Sequence, residues 1–360
     1  MRAAIIHAPG DIRVEDRPEP QPIHPTDAVV RVSASCVCGS DLWPYRGVRP
    51  VDEPRPIGHE FVGRVTAVGD DVREVAVGDF VIAPWKNSCG ACTNCRNGVL
   101  VACEHAAGWG WSDEHGHPVD GGQGEAVRVP NADGTLVSVP RFSGEGGESG
   151  VREPDEATLK SLLALSDVMG TGHHAAVCAG VGPGKSVVVV GDGAVGLSAV
   201  LAAKRLGAER IVAMSRHEDR AALAREFGAT DVVPERGADG AARVRELLDG
   251  RLADCVLECV GTKESMEQAL RSTRPGGALG FVGVPAGGAE IPAGVLFAKN
   301  ITVSGGAAST RLYIPELLED VLAGTIDPGR VFDTVLPLEE TAEAYRAMDE
   351  RRSIKVMLLP

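Results

Sequence analysis

The sequence lacks a long apolar run, an export signal and an excess of positive charge. No segment approaches the roughly 18 consecutive apolar residues of a membrane-spanning helix. The first residues alternate like a strand and lack the apolar core of a signal peptide, so we expect a cytoplasmic protein. Lys and Arg number 36 against 50 Asp and Glu, for a formal charge of −14. Nucleic-acid and anionic-membrane partners are therefore not expected, because both require clustered positive charge.

Composition and length favour a globular protein of two domains. The chain has 360 residues, and about 150 residues per domain is usual. Hydrophobic residues make up 44% and charged residues 24%, which is typical of globular proteins. Nine cysteines without an export signal do not suggest disulfides. We expect these cysteines to bind metal, to react or to fill the core.

Two halves of the chain have different textures. The first 155 residues are rich in Pro and Gly, with short β-like runs at 27–33 and 61–68, which predicts a compact all-β body. The Gly- and Ser-rich stretch 143–150 resembles an insertion and is predicted to be a surface loop. A helix is predicted over 156–165. Beyond it, strands are predicted at 186–190, 210–214, 254–260, 278–282 and 301–303, and helices over 194–206, 219–227, 315–323 and 339–350, before a final strand at 354–358.

Strands that are apolar throughout, separated by amphipathic helices, predict a parallel sheet covered on both faces. A Gly-rich turn, Gly191-Asp-Gly193-Ala194-Val195-Gly196, follows the strand at 186–190 and opens a helix. Gly191 permits the turn, Gly193 lets the backbone approach a pyrophosphate, and Gly196 allows close helix–strand packing. The N–H groups at the helix start can bind phosphate. In this context the motif predicts a dinucleotide site rather than an ordinary βα turn.

The residues that follow the strand predicted at 210–214, the second strand of the parallel sheet, decide between NAD and NADP. A carboxylate there would bind the ribose 2′-OH of NAD, but the strand ends in Ser215 and Arg216. Both side chains could hydrogen-bond a 2′-phosphate, and Arg216 could neutralise it. We therefore expect NADP(H) to be favoured over NAD(H). The alternative, in which Arg216 is solvated and Glu218 or Asp219 binds the ribose, stays open.

Four cysteines lie close together in the first half, at positions 89, 92, 95 and 103. Four thiolates can surround one tetrahedral Zn²⁺ and leave no open position, so this predicts a structural zinc lobe at 89–103. The bacterial ferredoxin pattern for an iron–sulfur cluster begins similarly. It continues x3-C-P, whereas Cys103 is eight residues beyond Cys95 and is followed by Glu104. Zinc is therefore the preferred interpretation.

A second set of donor types stands in Cys38-Gly-Ser40-Asp41 and Gly58-His59-Glu60. A thiolate, an imidazole and a carboxylate are the ligands of an open, catalytic zinc. Cys38 alone would more often be a small buried residue, and His59 a satisfied core histidine. Spacing cannot choose between Cys36 and Cys38, because both share a face of an extended segment.

These motifs, together with Asp167 in the segment 165–172, occur in an order that resembles the zinc-dependent alcohol dehydrogenases of the medium-chain dehydrogenase/reductase superfamily. The resemblance implies a GroES-like, mostly β catalytic domain at 1–160 and 309–360. It also implies an inserted Rossmann domain, a doubly wound parallel sheet, at 161–308, with the active site in the cleft between them. A homodimer or homotetramer is implied as well.

The resemblance also assigns roles to particular residues. Cys38, His59 and Asp167 match the protein ligands of the catalytic zinc, so two zinc ions per chain are expected. Glu60 resembles a carboxylate that approaches the metal during ligand exchange, and Asp41 one that orients the histidine ligand. Asp167 could instead cap the helix predicted over 168–179. The remaining matches are Ser40 in a proton relay, Thr171 and Val282-Gly283-Val284 at the nicotinamide, Lys355 at the pyrophosphate, and Trp43 and Trp85 in the substrate pocket.

Several family members have a histidine at the position of Trp43, where it ends the relay to solvent, so proton exit through the coenzyme ribose is an alternative. His105, His115 and His117 follow the zinc lobe and are expected to be solvated, although His115 and His117 could line a subunit contact. The implied function is interconversion of an alcohol and an aldehyde or ketone by hydride transfer to or from NAD(P). Two alternatives stay open: an inactive NADPH-binding sensor, and a zinc-free quinone or enoyl reductase on the same fold.

Overall fold

The computed structural model describes residues 1–143, 153–285 and 290–360. In chain order the strands are β1 (Arg2–Ala8), β2 (Asp11–Asp16), β3 (Ala28–Cys36), β4 (Arg55–Pro56), β5 (Phe61–Val68), β6 (Phe80–Ala83), β7 (Ala126–Val129), β8 (Val137–Ser138), β9 (Ser186–Val190), β10 (Arg210–Met214), β11 (Asp231–Val232), β12 (Ala253–Glu258), β13 (Thr273–Phe281), β14 (Thr302–Gly305), β15 (Thr334–Pro337) and β16 (Val356–Leu359). Apart from Ser143, the loop predicted at 143–150 lies outside the described residues.

The α-helices are α1 (Leu42–Tyr45), α2 (Thr93–Arg96), α3 (Ala132–Thr135), α4 (Glu156–Leu165), α5 (Val168–Cys178), α6 (Ala194–Arg205), α7 (Glu218–Phe227), α8 (Gly237–Leu247), α9 (Lys263–Ser272), α10 (Ala293–Lys299), α11 (Ile314–Ala323) and α12 (Thr341–Asp349). Short 3-10 helices cover Leu100–Ala102, Pro140–Phe142, Thr310–Leu312, Pro328–Val331 and Leu338–Glu340. None of the helices in the described ranges combines the length and apolar character needed to cross a membrane.

The chain divides into two compact units. The first contains Met1–Asp167 and Ser309–Pro360, and the second contains Val168–Ala308. The boundary predicted at residue 160 lies inside α4, which packs against α11 and the 3-10 helix Pro328–Val331 of the first unit. For this reason the first unit extends seven residues further, from 160 to Asp167.

The first unit is built on two sheets of mainly antiparallel strands. One sheet has the order β15-β16-β3-β5-β6-β8, with β7 also paired to β3, and the other has the order β2-β1-β4. Val30 on β3, Phe61 on β5 and Val81 on β6 are buried in one core with Trp109. The prediction of a mostly β body is confirmed. The sheet places Cys36 at the end of β3 and Phe61 at the start of β5, directly beside the motifs that carry Cys38 and His59.

The second unit contains one parallel sheet of order β11-β10-β9-β12-β13-β14. This is the order of a doubly wound dinucleotide-binding sheet, in which the coenzyme crevice lies where the strand order reverses, between β9 and β12. The last four residues of β9 are buried, because helices cover both faces of the sheet. The predicted Rossmann architecture is confirmed.

Four elements of this unit are additional to the predicted ones: β11, α8, α9 and α10. Helix α8 begins at Gly237 and contains Gly240, and glycine has a low intrinsic helix propensity. Helix α9 is largely polar, but Thr262 and Ser265 form a capping box at its start. Helix α9 nevertheless has an apolar face, on which Met266, Ala269 and Leu270 are buried, so its amphipathic pattern was an available signal that the prediction missed.

Candidate active site and metal centres

Three donor groups of different kinds meet in the first unit. The Sγ atom of Cys38 lies 3.7 Å from Oδ2 of Asp167, and Nε2 of His59 lies 3.6 Å from the same oxygen. Ligand atoms on one tetrahedral zinc ion lie roughly 3.3–3.8 Å apart. The three predicted ligands therefore have the spacing that one zinc ion requires, although Asp167 is separated from Cys38 by 129 residues.

The histidine of this set is oriented by Asp41. Oδ1 of Asp41 lies 3.2 Å from Nδ1 of His59, which leaves Nε2 directed toward Cys38 and Asp167. The other oxygen of Asp41 accepts hydrogen bonds from the Cys38 N–H at 3.0 Å and from Gln123 at 3.2 Å. Such an outer carboxylate fixes the tautomer and the ring orientation of a metal-binding histidine. Asp41 therefore lies where it can orient the His59 ring, and that role stays a prediction.

Gln123 contributes to this site and was not among the predicted residues. Its amide nitrogen also donates to the carbonyl of Cys36, and its amide oxygen accepts the hydroxyl hydrogen of Tyr345 at 3.0 Å. Gly58 packs directly against it: a Cβ at Gly58 would lie 2.5 Å from the Gln123 side chain, and Gly58 has φ +95°. Only glycine fits there, which explains why the residue directly before His59 is a glycine.

Glu60 lies beside the three donors and has a cationic partner. Its Oε1 atom is 4.0 Å from Nε2 of His59 and accepts a 2.7 Å hydrogen bond from Lys355. Its Oε2 atom is buried and has no hydrogen-bond partner within the described part of the chain. Burial raises the pKa of Glu60, whereas the Lys355 ammonium opposes this effect. Lys355 thus holds Glu60 near the donor set. The oxygen that it holds, Oε1, is engaged in this hydrogen bond and is not available to a metal ion.

This arrangement gives Lys355 a different partner from the predicted pyrophosphate. Its ammonium group donates to Glu60 and to the carbonyl of Val37, and its side chain is 1% exposed. The pyrophosphate role of Lys355 stays a prediction.

The structure distinguishes the two cysteines that spacing left equivalent. Cys38 belongs to the donor group with His59, Glu60 and Asp167, whereas Cys36 ends β3. Burial raises the pKa of both thiols, so Cys38 becomes a thiolate ligand only where a cation stabilises the charge. A soft thiolate beside an imidazole and a carboxylate suits zinc. The donors of this site therefore fit a zinc ion.

The other predicted residues of the first unit surround the same motifs. Ser40 lies in the turn after Cys38, where its carbonyl accepts the N–H of Trp43 at 3.2 Å. Ser40 and Trp43 are half-buried. Trp85 is also half-buried, and its N–H donates to the carbonyl of Ser166 at 2.9 Å, next to Asp167. Ser40 and Trp43 therefore lie on the segment that carries Cys38, and the backbone of Trp85 is hydrogen-bonded to the residue before Asp167.

The four cysteines of the lobe form a separate cluster. Sγ–Sγ distances are 4.0 Å for Cys89–Cys95 and 3.9 Å for Cys92–Cys103, and all four sulfurs lie within 4.8 Å of one another. These distances are close to those on one tetrahedral ion and far longer than a disulfide bond. All nine cysteines are free thiols. The cluster fits one zinc ion with four sulfur ligands.

Backbone N–H groups support negative charge on these sulfurs. The N–H groups of Cys89 and His105 donate to Sγ of Cys103 at 3.2 and 3.4 Å, and the N–H of Cys92 donates to Sγ of Cys89 at 3.3 Å. Hydrogen bonds from the backbone of Glu104 and Cys95 lower the pKa of Cys92 to about 6. Burial instead raises the pKa of Cys95 to about 12 and also raises the pKa of Cys103. The backbone therefore favours the thiolate, the form in which cysteine binds metal, at Cys92, and a bound cation would have to favour it at Cys95 and Cys103.

In the second unit, the Gly-rich turn has the geometry of a phosphate site. Gly191 has φ +119°, and a Cβ at Gly196 would lie 2.1 Å from the carbonyl oxygen of Gly191. A Cβ at Gly193 would meet nothing within 4 Å, so the backbone there faces open space. Helix α6 then begins at Ala194 and Val195, without a side chain capping its first N–H groups. These free N–H groups suit an anionic ligand.

Near the end of β10 lies a carboxylate that was not among the predicted coenzyme contacts. Asp192, from the Gly-rich turn, accepts a 2.8 Å hydrogen bond from the Ser215 hydroxyl. Three arginines lie nearby: Arg216, Arg220 at 3.7 Å from Asp192, and Arg236, which donates to the carbonyl of Met214. Burial lowers the pKa of Arg236, and the positive charge of Arg216 adds to this effect. Asp192 stands between Gly191 and Gly193 of the Gly-rich turn, and this position is the sequence signal that could have identified it.

The predicted nicotinamide contacts lie on two elements of the second unit. Thr171 is half-buried on α5, and Val282, Gly283 and Val284 follow β13. The N–H groups of Val282 and Gly283 donate to the carbonyl of Glu258 at 2.9 and 3.2 Å. Glu258 is fully buried, and its carboxylate accepts the N–H groups of Val260 and Gly261. Glu258, which was not among the predicted residues, therefore connects the carboxyl ends of β12 and β13 through hydrogen bonds.

Comparison with known proteins gives consistent results. Residues 24–141 match the alcohol dehydrogenase GroES-like domain, and residues 194–323 match the zinc-binding dehydrogenase family. A zinc-type alcohol dehydrogenase B of Aspergillus flavus is 33% identical, over 99% of this chain and 81% of its own length. A probable zinc-binding alcohol dehydrogenase of Mycobacterium tuberculosis is 35% identical, over 96% of this chain and 84% of its own length.

The solved structure of an alcohol dehydrogenase from Thermus sp. ATN1 superimposes with a TM-score of 0.88 at 33% identity, covering 100% of this chain and 99% of that one. A zinc-type donor set in a GroES-like unit, together with a dinucleotide-binding unit, defines a class of oxidoreductases that use zinc and a nicotinamide coenzyme. The chain belongs to the zinc-dependent alcohol dehydrogenase family of the medium-chain dehydrogenase/reductase superfamily. It is accordingly an NAD(P)-dependent alcohol dehydrogenase.

Proposed function

We propose that this enzyme interconverts an alcohol and an aldehyde or ketone at a zinc ion held by Cys38, His59 and Asp167, with NADP(H) favoured over NAD(H). The spacing of Cys38 Sγ and His59 Nε2 from Asp167 Oδ2, 3.7 and 3.6 Å, is the observation that carries the proposal. A second zinc ion would be bound by the four cysteines of the lobe and would be structural, because four sulfur ligands leave no open position.

A zinc ion held by Cys38, His59 and Asp167 would act as a Lewis acid, which would lower the pKa of an alcohol hydroxyl and polarise a carbonyl. Residues of this chain would position the groups around that ion. Asp41 holds the His59 ring so that Nε2 faces the ion, since it engages Nδ1 at 3.2 Å. Lys355 holds Oε1 of Glu60, so Glu60 could reach the ion only through Oε2, which is buried and has no hydrogen-bond partner in the described part of the chain. The proposal requires Glu60 to stay off the ion while substrate is bound, which leaves the fourth position open.

Proton transfer is assigned to Ser40. Its hydroxyl lies on the turn that carries Cys38, so it can take the alcohol proton while it passes its own proton on toward the coenzyme ribose and water, and the reverse transfer would protonate the carbonyl oxygen. A nicotinamide coenzyme bound to the second unit would supply the hydride chemistry. Trp43 and Trp85, half-buried on adjacent segments, would supply apolar walls for the substrate carbon chain.

The NADP(H) preference is supported by charge at the end of β10. Arg216, Arg220 and Arg236 provide three positive charges there, against the single carboxylate of Asp192. A 2′-phosphate carries about two negative charges, and bidentate guanidinium groups bind phosphate well. The expected result is a lower dissociation constant for NADPH than for NADH, measured by quenching of protein fluorescence. Equal affinities, or a preference for NADH, would contradict this part of the proposal.

The zinc assignment is tested with Cys38→Ser and Asp167→Asn. Each variant should lose the catalytic metal by elemental mass spectrometry and reduce turnover by about two to three orders of magnitude, while NADPH binding survives. Cys36→Ala is the matched control, because Cys36 is buried nearby but lies outside the donor group. Full activity in either ligand variant would refute the assignment.

Two further expectations accompany this function. Nine free thiols support a reducing compartment, the cytoplasm, where disulfides are rare. The family resemblance supports a homodimer or homotetramer, which analytical ultracentrifugation would measure. A monomer at micromolar concentration would argue against that assembly.

A further inference from the structure

A group of imidazoles and carboxylates in the first unit is used by neither of the two zinc sites above. His24 precedes β3, and Asp113, His115 and His117 stand in the turn that follows the cysteine lobe. The His24 ring centroid lies 4.8 Å from that of His115 and 4.9 Å from that of His117. We propose that His24, Asp113 and His117 form a third metal site, which binds a divalent transition-metal ion such as Zn²⁺.

The distances between donor atoms support this assignment. Nε2 of His24 lies 3.3 Å from Oδ2 of Asp113, and Nδ1 of His117 lies 3.6 Å from Oδ1 of the same carboxylate. One ligand atom from each of the three residues lies within 4.8 Å of the others. Two ligand atoms on one tetrahedral zinc ion are roughly 3.3 Å apart when both are nitrogen or oxygen. A small shift of the two rings would therefore complete the coordination.

Three buried polar atoms at this place have unused bonding capacity. Within the described ranges, Nε2 of His24, Nδ1 of His117 and Oδ1 of Asp27 have no hydrogen-bond partner. The Asp27 side chain is fully buried and lines a cavity of about 200 Å³ together with His24, Asp113 and His115. Buried polar atoms without partners are costly, and a bound cation would relieve that cost.

The backbone around Asp113 fixes the carboxylate in place. Oδ1 of Asp113 accepts the N–H groups of His115 and His117 at 3.0 and 2.9 Å. A backbone hydrogen bond from Asp113 to the carbonyl of His117 closes the turn, and Gly116 adopts φ +82° within it. Because these bonds do not involve the histidine rings, the site is organised before any metal binds.

Local charge favours a cation. Arg128 is fully buried and donates to Asp27 and to Asp113, each at 2.8 Å. One guanidinium thus faces two carboxylates, and Glu114 lies on the rim of the cavity. A divalent ion would offset the remaining negative charge. Imidazole donors favour zinc-like transition metals over Ca²⁺ and Mg²⁺, which prefer oxygen ligands.

The proposal is tested by metal counting on the full-length enzyme. Wild type, His24→Ala, His117→Ala and the control His7→Ala are equilibrated with excess zinc chloride, freed of unbound ion and measured by elemental mass spectrometry. His7 is a suitable control because its ring pairs with Glu15 on a neighbouring strand, outside all three donor groups. The His24 and His117 variants should each bind one zinc ion fewer per chain than wild type, and His7→Ala should match wild type.

A second measurement does not depend on how the variants fold. A wild-type crystal soaked in zinc chloride should show an anomalous peak at the zinc edge between the His24 and His117 rings. Equal zinc counts in wild type and both histidine variants, or a crystal without that peak, would overturn the proposal. Alcohol oxidation with NADP+ should be unchanged in His24→Ala, so failure here is distinguishable from failure of the proposed catalytic site.

Discussion

The Nζ atom of Lys355 lies 2.7 Å from Oε1 of Glu60, and the two side chains are 1% and 0% exposed. The residues are separated by 295 positions in the chain. A buried ion pair gains stability only if both charges stay paired, because desolvation of each charge is costly. This pair therefore connects the residue just before β16 to the rim of the candidate catalytic zinc site.

Removing only the lysine should be strongly destabilising. Lys355→Met would leave the Glu60 charge buried and uncompensated, so we expect the free energy of unfolding to fall by about 3–5 kcal/mol. Urea denaturation followed by circular dichroism measures this change. The double variant Glu60→Gln/Lys355→Met should recover most of the loss, because no charge is then left unpaired. An unchanged urea midpoint in Lys355→Met would contradict the pairing.

The four-cysteine lobe should contribute to stability rather than to chemistry. Cys95→Ala removes one of four sulfur ligands, and metal binding to such lobes supplies folding free energy. We expect this variant to lose one zinc ion per chain and to melt at least about 5 °C lower by differential scanning calorimetry. Cys178→Ala is the matched control, since Cys178 lies outside the donor groups found in the described chain. A Cys95→Ala variant with the zinc content and melting temperature of wild type would contradict a structural zinc ion in the lobe.

Coenzyme preference should respond to the charges beside Ser215. Arg216→Ala removes a charge-assisted hydrogen bond to a 2′-phosphate, so the dissociation constant of NADPH should rise about 10–100-fold while that of NADH stays constant. Asp192→Asn removes the carboxylate that Ser215 contacts and should tighten NADPH binding. Arg225→Ala is a suitable control, because Arg225 is exposed and pairs with Glu218. If NADPH and NADH lost affinity equally in Arg216→Ala, Arg216 would contact a phosphate that both coenzymes carry and not the 2′-phosphate.

Acid stability of the second unit should depend on Asp254. Partial burial alone would raise the pKa of this carboxyl, but hydrogen bonds from Ser186 and Arg274 lower it from 3.8 to about 2. The folded-state pKa is depressed, so its stabilisation is present above about pH 4 and is lost as the pH falls toward 2. Asp254→Asn should therefore be less stable than wild type at pH 5.

The difference between Asp254→Asn and wild type should shrink as the pH approaches 2, which urea midpoints across that range would show. Asp249→Asn serves as the control, because Asp249 is exposed and its φ of +55° is well tolerated by asparagine. A stability difference for Asp254→Asn that stays constant with pH would indicate lost packing instead of a lost charge interaction.

Local signals identify much of the fold from the sequence. The helix predicted over 156–165 and the strands predicted at 61–68 and 210–214 have the same bounds in the structure. Each is a strongly apolar or amphipathic segment with clear turn residues beside it. Elements without such a signal, such as the two-residue β11, depend on pairing with a neighbour and cannot be recognised locally.

Long-range contacts at the candidate sites are harder to predict. The contacts of Gln123 with Asp41 and Tyr345, and of Arg128 with Asp27 and Asp113, join distant parts of the chain. Residue type and spacing identify candidate donors, because metal chemistry restricts them to few side chains. The partners that orient these donors are ordinary polar residues, and only the folded backbone brings them together.

Strand β16 pairs antiparallel with β3, with Met357 opposite Cys36 and Leu358 opposite Ser35. The central sheet of the first unit thus receives one of its inner strands from a segment that follows the whole second unit in the chain. During synthesis the nascent chain completes Val168–Ala308 before it can close that sheet. Premature termination before residue 354 would therefore cost the zinc-donor region its supporting strand, even though every proposed ligand had already been translated.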